Sequence, residues 1–265
     1  MSALVTPPSD LGPHRPLRVH VVGSSAAVMV EPAHGPRDGG TYGEQLAVLL
    51  GHTGIPTTVT HFGRWFGQVD EVVARYEHGI RDYFPDVLVL NFGMAECQSN
   101  LLPTAVVRHL TTWHRTSRPG ARFYRERLVP RVWPRLRDYQ RWASGHDEWT
   151  HRLPPRRFVA DFRRLIDLAR KDCGCLVLLV DIDPAGERVE HWLPGTAHRV
   201  EQYNRLLADV AAGYDAGVRL VEASLTITDP GAQLPDGLHR TPAGHALTAA
   251  MLAAEIQRWL KEGVR

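Results

Sequence analysis

The run LRVHVVG at residues 17–23 is short, rich in β-branched residues and ended by a glycine, which predicts a buried β-strand. Two further runs are apolar along nearly their whole length, DVLVLNF at 86–92 and CLVLLV at 175–180. The segments PTTVTH at 56–61 and VRLV at 218–221 give two shorter strand patterns. Strands that are apolar throughout are covered on both faces, which is typical of a parallel sheet between two layers of helices.

Helical segments separate these strands. Apolar residues recur at spacings of three and four in 199–212 and 242–260, and residues 41–50 and 68–83 are predicted as two more helices. The alternation of strands and helices predicts an α/β protein. Its expected architecture is flavodoxin-like, with three α/β/α layers around a parallel five-stranded sheet.

Some segments depart from this alternation. Residues 1–16 are rich in proline and are predicted to form a flexible N-terminal tail, so that residues 17–265 make up a single domain. Residues 99–157 contain no convincing strand, and we interpret them as a helical insertion in that domain. Residues 183–196 are predicted to form a long polar loop after the fourth strand.

The predicted insertion is strongly basic. Residues 108–164 hold fifteen arginines against five acidic residues, although the whole chain carries a net charge of only +2. One interpretation is a solvated basic face that covers an apolar seam. The other is a lid whose arginines bind an anionic acyl group or a carrier-bound acyl donor, because guanidinium groups pair with carboxylates and phosphates. Nucleic acid is not expected as a partner, since the overall charge is small and no known binding motif is present.

The sequence argues against several other classes of protein. No stretch approaches the ~20 consecutive apolar residues of a membrane span, and residues 1–16 lack the pattern of a secretory signal, so a cytoplasmic protein without membrane contact is expected. Three cysteines are too few for a disulfide scaffold, and Cys173 and Cys175 lack the second pair that a zinc site needs. The glycine turns lack the spacing of a phosphate loop. Neither a metal nor a cofactor is predicted.

Polar and glycine-rich motifs follow the predicted strands. Ser24 and Ser25 come directly after the first strand, while the turns FGRWFG at 62–67 and GMAEC at 93–97 follow the second and third. The motif DGLH at 236–239 stands before the last predicted helix. Ligands of open α/β sheets bind at this carboxyl edge of the strands. A serine hydroxyl, an imidazole and a carboxylate there would supply a nucleophile, its base and a group that orients the base.

These motifs resemble, in their order and spacing, those of the SGNH/GDSL hydrolase family, and the likeness extends over most of the chain outside the insertion. The motif GSS at 23–25 is similar to the family's Gly-Asp-Ser, with Ser24 in place of the aspartate. The resemblance implies that Ser25 is the nucleophile. The family's Asp-x-x-His motif is intact, which implies that His239 is the general base and that Asp236 orients it.

The resemblance also implies an oxyanion hole, built in the family from backbone N–H groups and an asparagine side chain. Gly67 is the best match to the family's second motif, with Gly63 as the alternative. The third motif, Gly-x-Asn-Asp, reads GMAE here, so Ala95 replaces the asparagine and Glu96 the aspartate. We expect the Ala95 N–H, Arg64 or a bound water to replace the missing donor; otherwise the activity is weakened.

Alternatives remain open for several of these residues. Ser25 could be a helix cap, with Ser24 as the reactive hydroxyl, and Gly67 could be only a turn glycine. Glu96 could bind substrate, stay solvated, or act as a structural hydrogen-bond partner, which is the role that we favour.

Two functional hypotheses follow from the sequence. The first is an SGNH-like serine esterase or acyltransferase that acts on a small-molecule ester through an acyl-enzyme at Ser25. The second is a catalytically impaired protein of the same fold, retained for binding a ligand or partner. The first is the leading hypothesis, and the replacements at Ser24 and Ala95 motivate the second as its alternative.

Overall fold

The structure is a computed structural model that covers the central sheet and the helices around it. It describes residues 15–28, 40–63, 67–98, 152–228 and 231–263, together with six single positions between 123 and 135. Most of the predicted tail and of the predicted basic insertion lies outside these residues.

Five parallel strands form one sheet in the order β2-β1-β3-β4-β5. The strands are β1 Leu17–Gly23, β2 Thr57–Gly63, β3 Val87–Asn91, β4 Leu176–Val180 and β5 Val218–Val221. This order is that of a flavodoxin-like sheet, so the predicted fold class is confirmed.

Helices connect the strands and cover both faces of the sheet. The α-helices are α1 Ser25–Val28, α2 Tyr42–His52, α3 Val69–Val73, α4 Tyr76–Gly79, α5 Met94–Cys97, α6 Pro155–Cys173, α7 Glu187–Trp192, α8 Thr196–Ala212 and α9 Pro242–Gly263. Short 3-10 helices occupy Arg81–Tyr83 and Ala223–Thr228.

Strand β3 shows how the sheet divides the core. Leu88 and Leu90 lie on one face and pack in a cluster with buried side chains of α6 and α8, whereas Val87 and Val89 lie on the other face with those of α2 and α9. All four are fully buried. Burial of apolar surface stabilises the fold by roughly 25 cal/mol per Å². Because both faces of the sheet are covered, its carboxyl edge is the place where polar side chains can meet.

The predicted helix at 68–83 is divided in the structure into α3, α4 and a 3-10 turn. Gly79 packs so closely on the ring of Phe62 that a Cβ at this position would lie 2.8 Å from it. The carbonyl oxygen of Gly79 accepts a hydrogen bond from Nε2 of His20 in β1, at 2.7 Å. Since the strand side chain uses a carbonyl that a continuous helix would need, tertiary contacts override the local helical pattern.

Two more segments differ from the sequence prediction. The predicted polar loop at 183–196 contains α7, which buries Val189, and the first residue of α8. Helix α6 begins at Pro155, just inside the predicted insertion at 99–157. A proline at the first helical position is a common helix start, so this signal was present in the sequence. Within the described part of the chain, no helix is long and apolar enough to cross a membrane.

Candidate active site

Ser25 lies where the central strand β1 turns into the short helix α1. The turn requires a glycine at position 23, because a Cβ there would lie 2.4 Å from the carbonyl oxygen of Asn91 and 2.5 Å from the Cβ of Ala27. The Ser24 N–H donates to the same Asn91 oxygen at 3.2 Å, and Ser24 is buried. Ser25 is only half-buried, so its hydroxyl is the more accessible of the two.

Asp236 organises the loop that precedes α9. Its Oδ1 accepts the backbone N–H groups of Leu238 at 2.8 Å and His239 at 3.0 Å. The loop is closed on itself by the Leu234 N–H, which donates to the carbonyl oxygen of His239 at 2.8 Å. These backbone contacts leave Oδ2 of Asp236 directed at the His239 ring, 2.7 Å from Nδ1.

The imidazole of His239 joins Asp236 to Ser25. Nε2 of His239 lies 3.0 Å from Oγ of Ser25, although the two residues are 214 positions apart in the sequence. A carboxylate can only accept, so the proton of a neutral imidazole is on Nδ1 and Nε2 is free to accept the serine O–H. The structure therefore brings the three predicted residues into one hydrogen-bonded chain with the geometry of a Ser-His-Asp triad.

Hydrogen bonds keep Asp236 ionised. Burial raises the pKa of this carboxyl group, but the bond from the His239 ring and those from the Leu238 and His239 backbone outweigh it and lower the pKa to about 2. Asp236 is therefore a carboxylate throughout the range in which an imidazole titrates. A carboxylate in contact with Nδ1 stabilises the imidazolium that forms when His239 accepts a proton.

A second histidine near the triad stays neutral. Burial lowers the pKa of His245 to about 4, and the positive charge of the nearby Arg240 adds to the effect. Nδ1 of His245 accepts the backbone N–H of Tyr42 at 3.2 Å. His245 thus adds no positive charge beside His239 at neutral pH.

The Asp236–His239 loop is in close backbone contact with the segment after β4. The Gly186 N–H donates to the carbonyl oxygen of Gly237 at 3.0 Å. Gly237 has a φ of +72°, and a Cβ there would lie 2.9 Å from Cα of Gly186. A side chain at 237 would therefore both strain the backbone and push the loop away from its support.

We expect Gly237→Ala to reduce the ester hydrolysis that the sequence motifs predict by roughly 10–10²-fold, because a shift of the loop moves His239 relative to Ser25. The matched control is Gly174→Ala. Gly174 also has a positive φ, +61°, but nothing lies within 4 Å of its Cβ position. Gly174→Ala is expected to keep its activity. Its free energy of unfolding should fall by only about 1–2 kcal/mol, the cost of an alanine at a positive φ. Equal activity in the two variants would contradict this account of the contact.

Glu96 lies beneath two loops of the carboxyl edge. Its side chain is fully buried, with Oε1 accepting the Val69 N–H at 2.8 Å and Oε2 the Gly93 N–H at 2.9 Å. Burial raises the pKa of Glu96 to about 7, against the opposing effect of these N–H donors. Of the three roles considered for Glu96, this geometry fits the structural one, since it connects the loop after β2 to the loop after β3.

Glu96→Gln tests this role through pH. In the wild type the folded-state pKa of Glu96, about 7, lies above the ordinary glutamate pKa of 4.5, so the folded protein binds more protons than the unfolded chain between these values. The wild type should therefore lose unfolding free energy relative to Glu96→Gln as the pH rises from 4.5 through 7. Chemical denaturation across this range measures the difference. Glu77→Gln is the control: it removes an exposed carboxylate but keeps Glu96, so its stability curve should run parallel to that of the wild type. A curve for Glu96→Gln that is also parallel to the wild type would contradict the prediction.

The other predicted oxyanion residues are placed as follows. Gly63 ends β2 opposite Gly23 and is exposed, while Gly67 lies two residues before α3 and is buried. Ala95 is buried in α5, with no polar side chain. Arg64 lies outside the described residues. These positions leave the backbone N–H groups as the candidate donors within the described part of the site.

A buried ion pair that no sequence motif indicated lies beside His239. Arg240, the next residue, pairs with Asp183 just after β4, and both side chains are buried. The one available signal was an arginine directly after the Asp-x-x-His motif. Its partner lies 57 positions away, which no local pattern reveals. Among the described residues, no group of three or more His, Cys, Asp or Glu side chains is placed to hold a metal ion.

Comparison with known proteins finds this fold among solved structures. No protein-family model matches the chain, and no curated protein matches it. The chain is similar in structure to Axe2, an acetylxylan esterase from Geobacillus stearothermophilus, with a TM-score of 0.57 and 14% identity over 91% of this chain and 94% of that one.

Two other solved structures have the same fold. TesA gives a TM-score of 0.57 at 16% identity, covering 92% of this chain and 99% of its own. A lipase/acylhydrolase from Enterococcus faecalis gives 0.57 at 13% identity, covering 92% and 96%. The predicted resemblance to SGNH/GDSL-type hydrolases is thereby confirmed at the level of the fold.

Proposed function

We propose that the protein is a serine ester hydrolase or acyltransferase that acts on a small-molecule ester through an acyl-enzyme at Ser25. The observation that carries the proposal is the hydrogen-bonded chain from Ser25 Oγ through the His239 ring to Asp236. The esterase and acylhydrolase names of the structural neighbours support it. A cytoplasmic location remains a prediction.

Acylation of Ser25 follows from the proton positions. His239 Nε2 takes the hydroxyl proton as Ser25 Oγ attacks the ester carbonyl, and Asp236 stabilises the resulting imidazolium. When the tetrahedral intermediate collapses, Nε2 returns this proton to the departing alcohol. General-base assistance of this kind contributes about 10²–10⁴-fold to the rate. The second half repeats these steps with water in hydrolysis, or with an acceptor alcohol or amine in transfer.

The developing oxyanion needs hydrogen-bond donors. We assign the backbone N–H groups of Ser25 and Gly67 to this role, with Gly63 as the alternative to Gly67. Ala95 supplies no side-chain donor, and removal of one such donor typically costs about 10²–10³-fold. The Ala95 N–H, Arg64 or a bound water is proposed as the replacement.

A covalent probe tests the proposal independently of the natural substrate. A fluorophosphonate should label the folded protein with one group per chain, and peptide mapping should place it on Ser25. The heat-denatured protein is the control and should not react. Labelling of Ser24 in place of Ser25 would overturn the assignment of the nucleophile.

A second candidate function is the binding of a ligand or partner by a catalytically impaired protein. The alanine at position 95, where the family motif has asparagine, favours this candidate. Absence of Ser25 labelling in folded protein, together with no hydrolysis of short esters, would favour this function. The proposal that the arginine-rich segment binds a carrier-bound acyl donor is separate, because that segment lies largely outside the described residues. Reversal of its charges with loss of activity on carrier-bound esters alone would support it.

A further inference from the structure

The residue that follows the candidate base is a buried arginine. Arg240 exposes 1% of its surface and Asp183 exposes 6%. Nε of Arg240 donates to Oδ2 of Asp183 at 2.8 Å, and Nη2 donates to Oδ1 of the same carboxylate. This is a two-point contact, which fixes the orientation of both groups and not merely their distance.

The pair connects the candidate catalytic loop to the end of a central strand. Asp183 follows β4 by three residues, and β4 lies next to β3 in the middle of the sheet. The same two segments are joined by the backbone bond from Gly186 to Gly237, and by Gln233 Nε2, which donates to the carbonyl oxygen of Pro184 at 3.0 Å. The ion pair is the contact nearest in sequence to the imidazole, since Arg240 is bonded directly to His239.

The energetics argue against a role in stability alone. Removing two charges from water carries a desolvation penalty that a buried pair often fails to recover, and apolar replacements are frequently as stable. Within the described residues, Nη1 of Arg240 is buried and has no hydrogen-bond partner, which adds to the cost. The position that this directional contact fixes for the neighbouring candidate catalytic group explains the pair better than a gain in stability does.

We infer that the Arg240–Asp183 pair positions the His239 imidazole: it ties the residue after His239 to the end of β4 and so holds Nε2 within hydrogen-bond distance of Ser25 Oγ. This inference rests on the proposed function of the triad. Arg240 and Asp183 are positioning residues, because the reacting atoms are contacted by His239 and Ser25 and not by them.

The test uses the double variant Asp183→Asn/Arg240→Met in the full chain. Removing both charges avoids an unpaired buried charge, which could unfold either single variant. For p-nitrophenyl acetate, kcat is expected to fall by about 10–10²-fold while KM changes by less than about twofold, because the loss is one of orientation. Arg240→Lys keeps the charge without the planar fork and should give an intermediate kcat.

A matched control comes from an ion pair at the opposite edge of the sheet. Arg170 in the last turn of α6 donates to Asp215, before β5, at 2.8 Å. The double variant Arg170→Met/Asp215→Asn removes another arginine–aspartate pair, which is partly buried, and should leave kcat unchanged. Thermal unfolding of both double variants distinguishes a loss of the folded structure from a displacement of the His239 imidazole.

A spectroscopic measurement keeps the inference testable apart from turnover. With ¹⁵N-labelled histidine, the Nε2 nitrogen of His239, which lies 3.0 Å from Ser25 Oγ, should give a signal that is assigned through its absence in His239→Ala and that shifts in Ser25→Ala. This signal should take the Ser25→Ala position in Asp183→Asn/Arg240→Met and keep the wild-type position in Arg170→Met/Asp215→Asn. If the wild type neither hydrolyses esters nor reacts with fluorophosphonate, the proposed function fails, and the signal still decides the positioning role. A wild-type signal in a folded Asp183→Asn/Arg240→Met protein would overturn the inference, as would an equal shift in the two double variants.

Discussion

Ser25→Ala is expected to lower kcat/KM for short p-nitrophenyl esters by roughly 10⁴-fold or more, because it removes the hydroxyl that we propose to form the acyl-enzyme. The hydroxyl is half-buried and is bonded to the ring of His239, so its removal leaves the core intact. The melting temperature should therefore change little. Steady-state hydrolysis and thermal unfolding, measured on the same preparation, test both statements.

Ser24→Ala is the control for this experiment. Ser24 is buried, and its described hydrogen bonds are made by its backbone N–H and carbonyl oxygen and not by its hydroxyl. Hydrolysis should stay within a few-fold of the wild type. A Ser25→Ala protein that retains wild-type rates, or a loss confined to Ser24→Ala, would refute the assignment of Ser25 as the nucleophile.

Asp236→Asn is expected to cost about 10³–10⁴-fold in kcat through the position of a single proton. The N–H groups of Leu238 and His239 both point at Oδ1, so the amide oxygen of an asparagine would stay there and its NH₂ group would replace Oδ2. This NH₂ group would donate to Nδ1 of His239. The ring proton would then move to Nε2, which could no longer accept the proton of Ser25.

The comparison with Asp236→Ala sharpens this prediction. Alanine removes the acceptor of both backbone N–H groups as well as the contact with the ring, so it should lower the melting temperature, whereas asparagine should largely preserve it. Activity of Asp236→Asn within tenfold of the wild type would show that the carboxylate does not set the tautomer of His239.

The sheet could be predicted from the sequence because its strands are buried on both faces. The runs that contain Val89 and Leu178 are apolar along nearly their whole length, which identifies them as strands covered on both faces. The structure places these strands within two residues of the predicted bounds. The division of the segment 68–83 was not predictable, because it depends on a contact between His20 and the carbonyl oxygen of Gly79. Helix α6 was overlooked because its first turn lies in the arginine-rich segment.

The candidate site was predicted only in part, for a similar reason. Short motifs marked Ser25, Asp236 and His239, but only the fold brings positions 214 residues apart to a distance of 3.0 Å. Glu96 was recognisable as a substitution in a motif, whereas its two backbone donors come from separate loops. No local sequence pattern indicated the Arg240–Asp183 pair, because its two residues are brought together only by the tertiary structure.

Trapping the acyl-enzyme tests the central claim most directly. The protein is mixed with p-nitrophenyl acetate, quenched in acid within the first turnover, digested and analysed by mass spectrometry. The account predicts one acetyl group on the peptide that contains Ser25, and none when Ser25 is alanine. Ester hydrolysis that proceeds with the Ser25 peptide unmodified, or with the acetyl group on another residue, would contradict it.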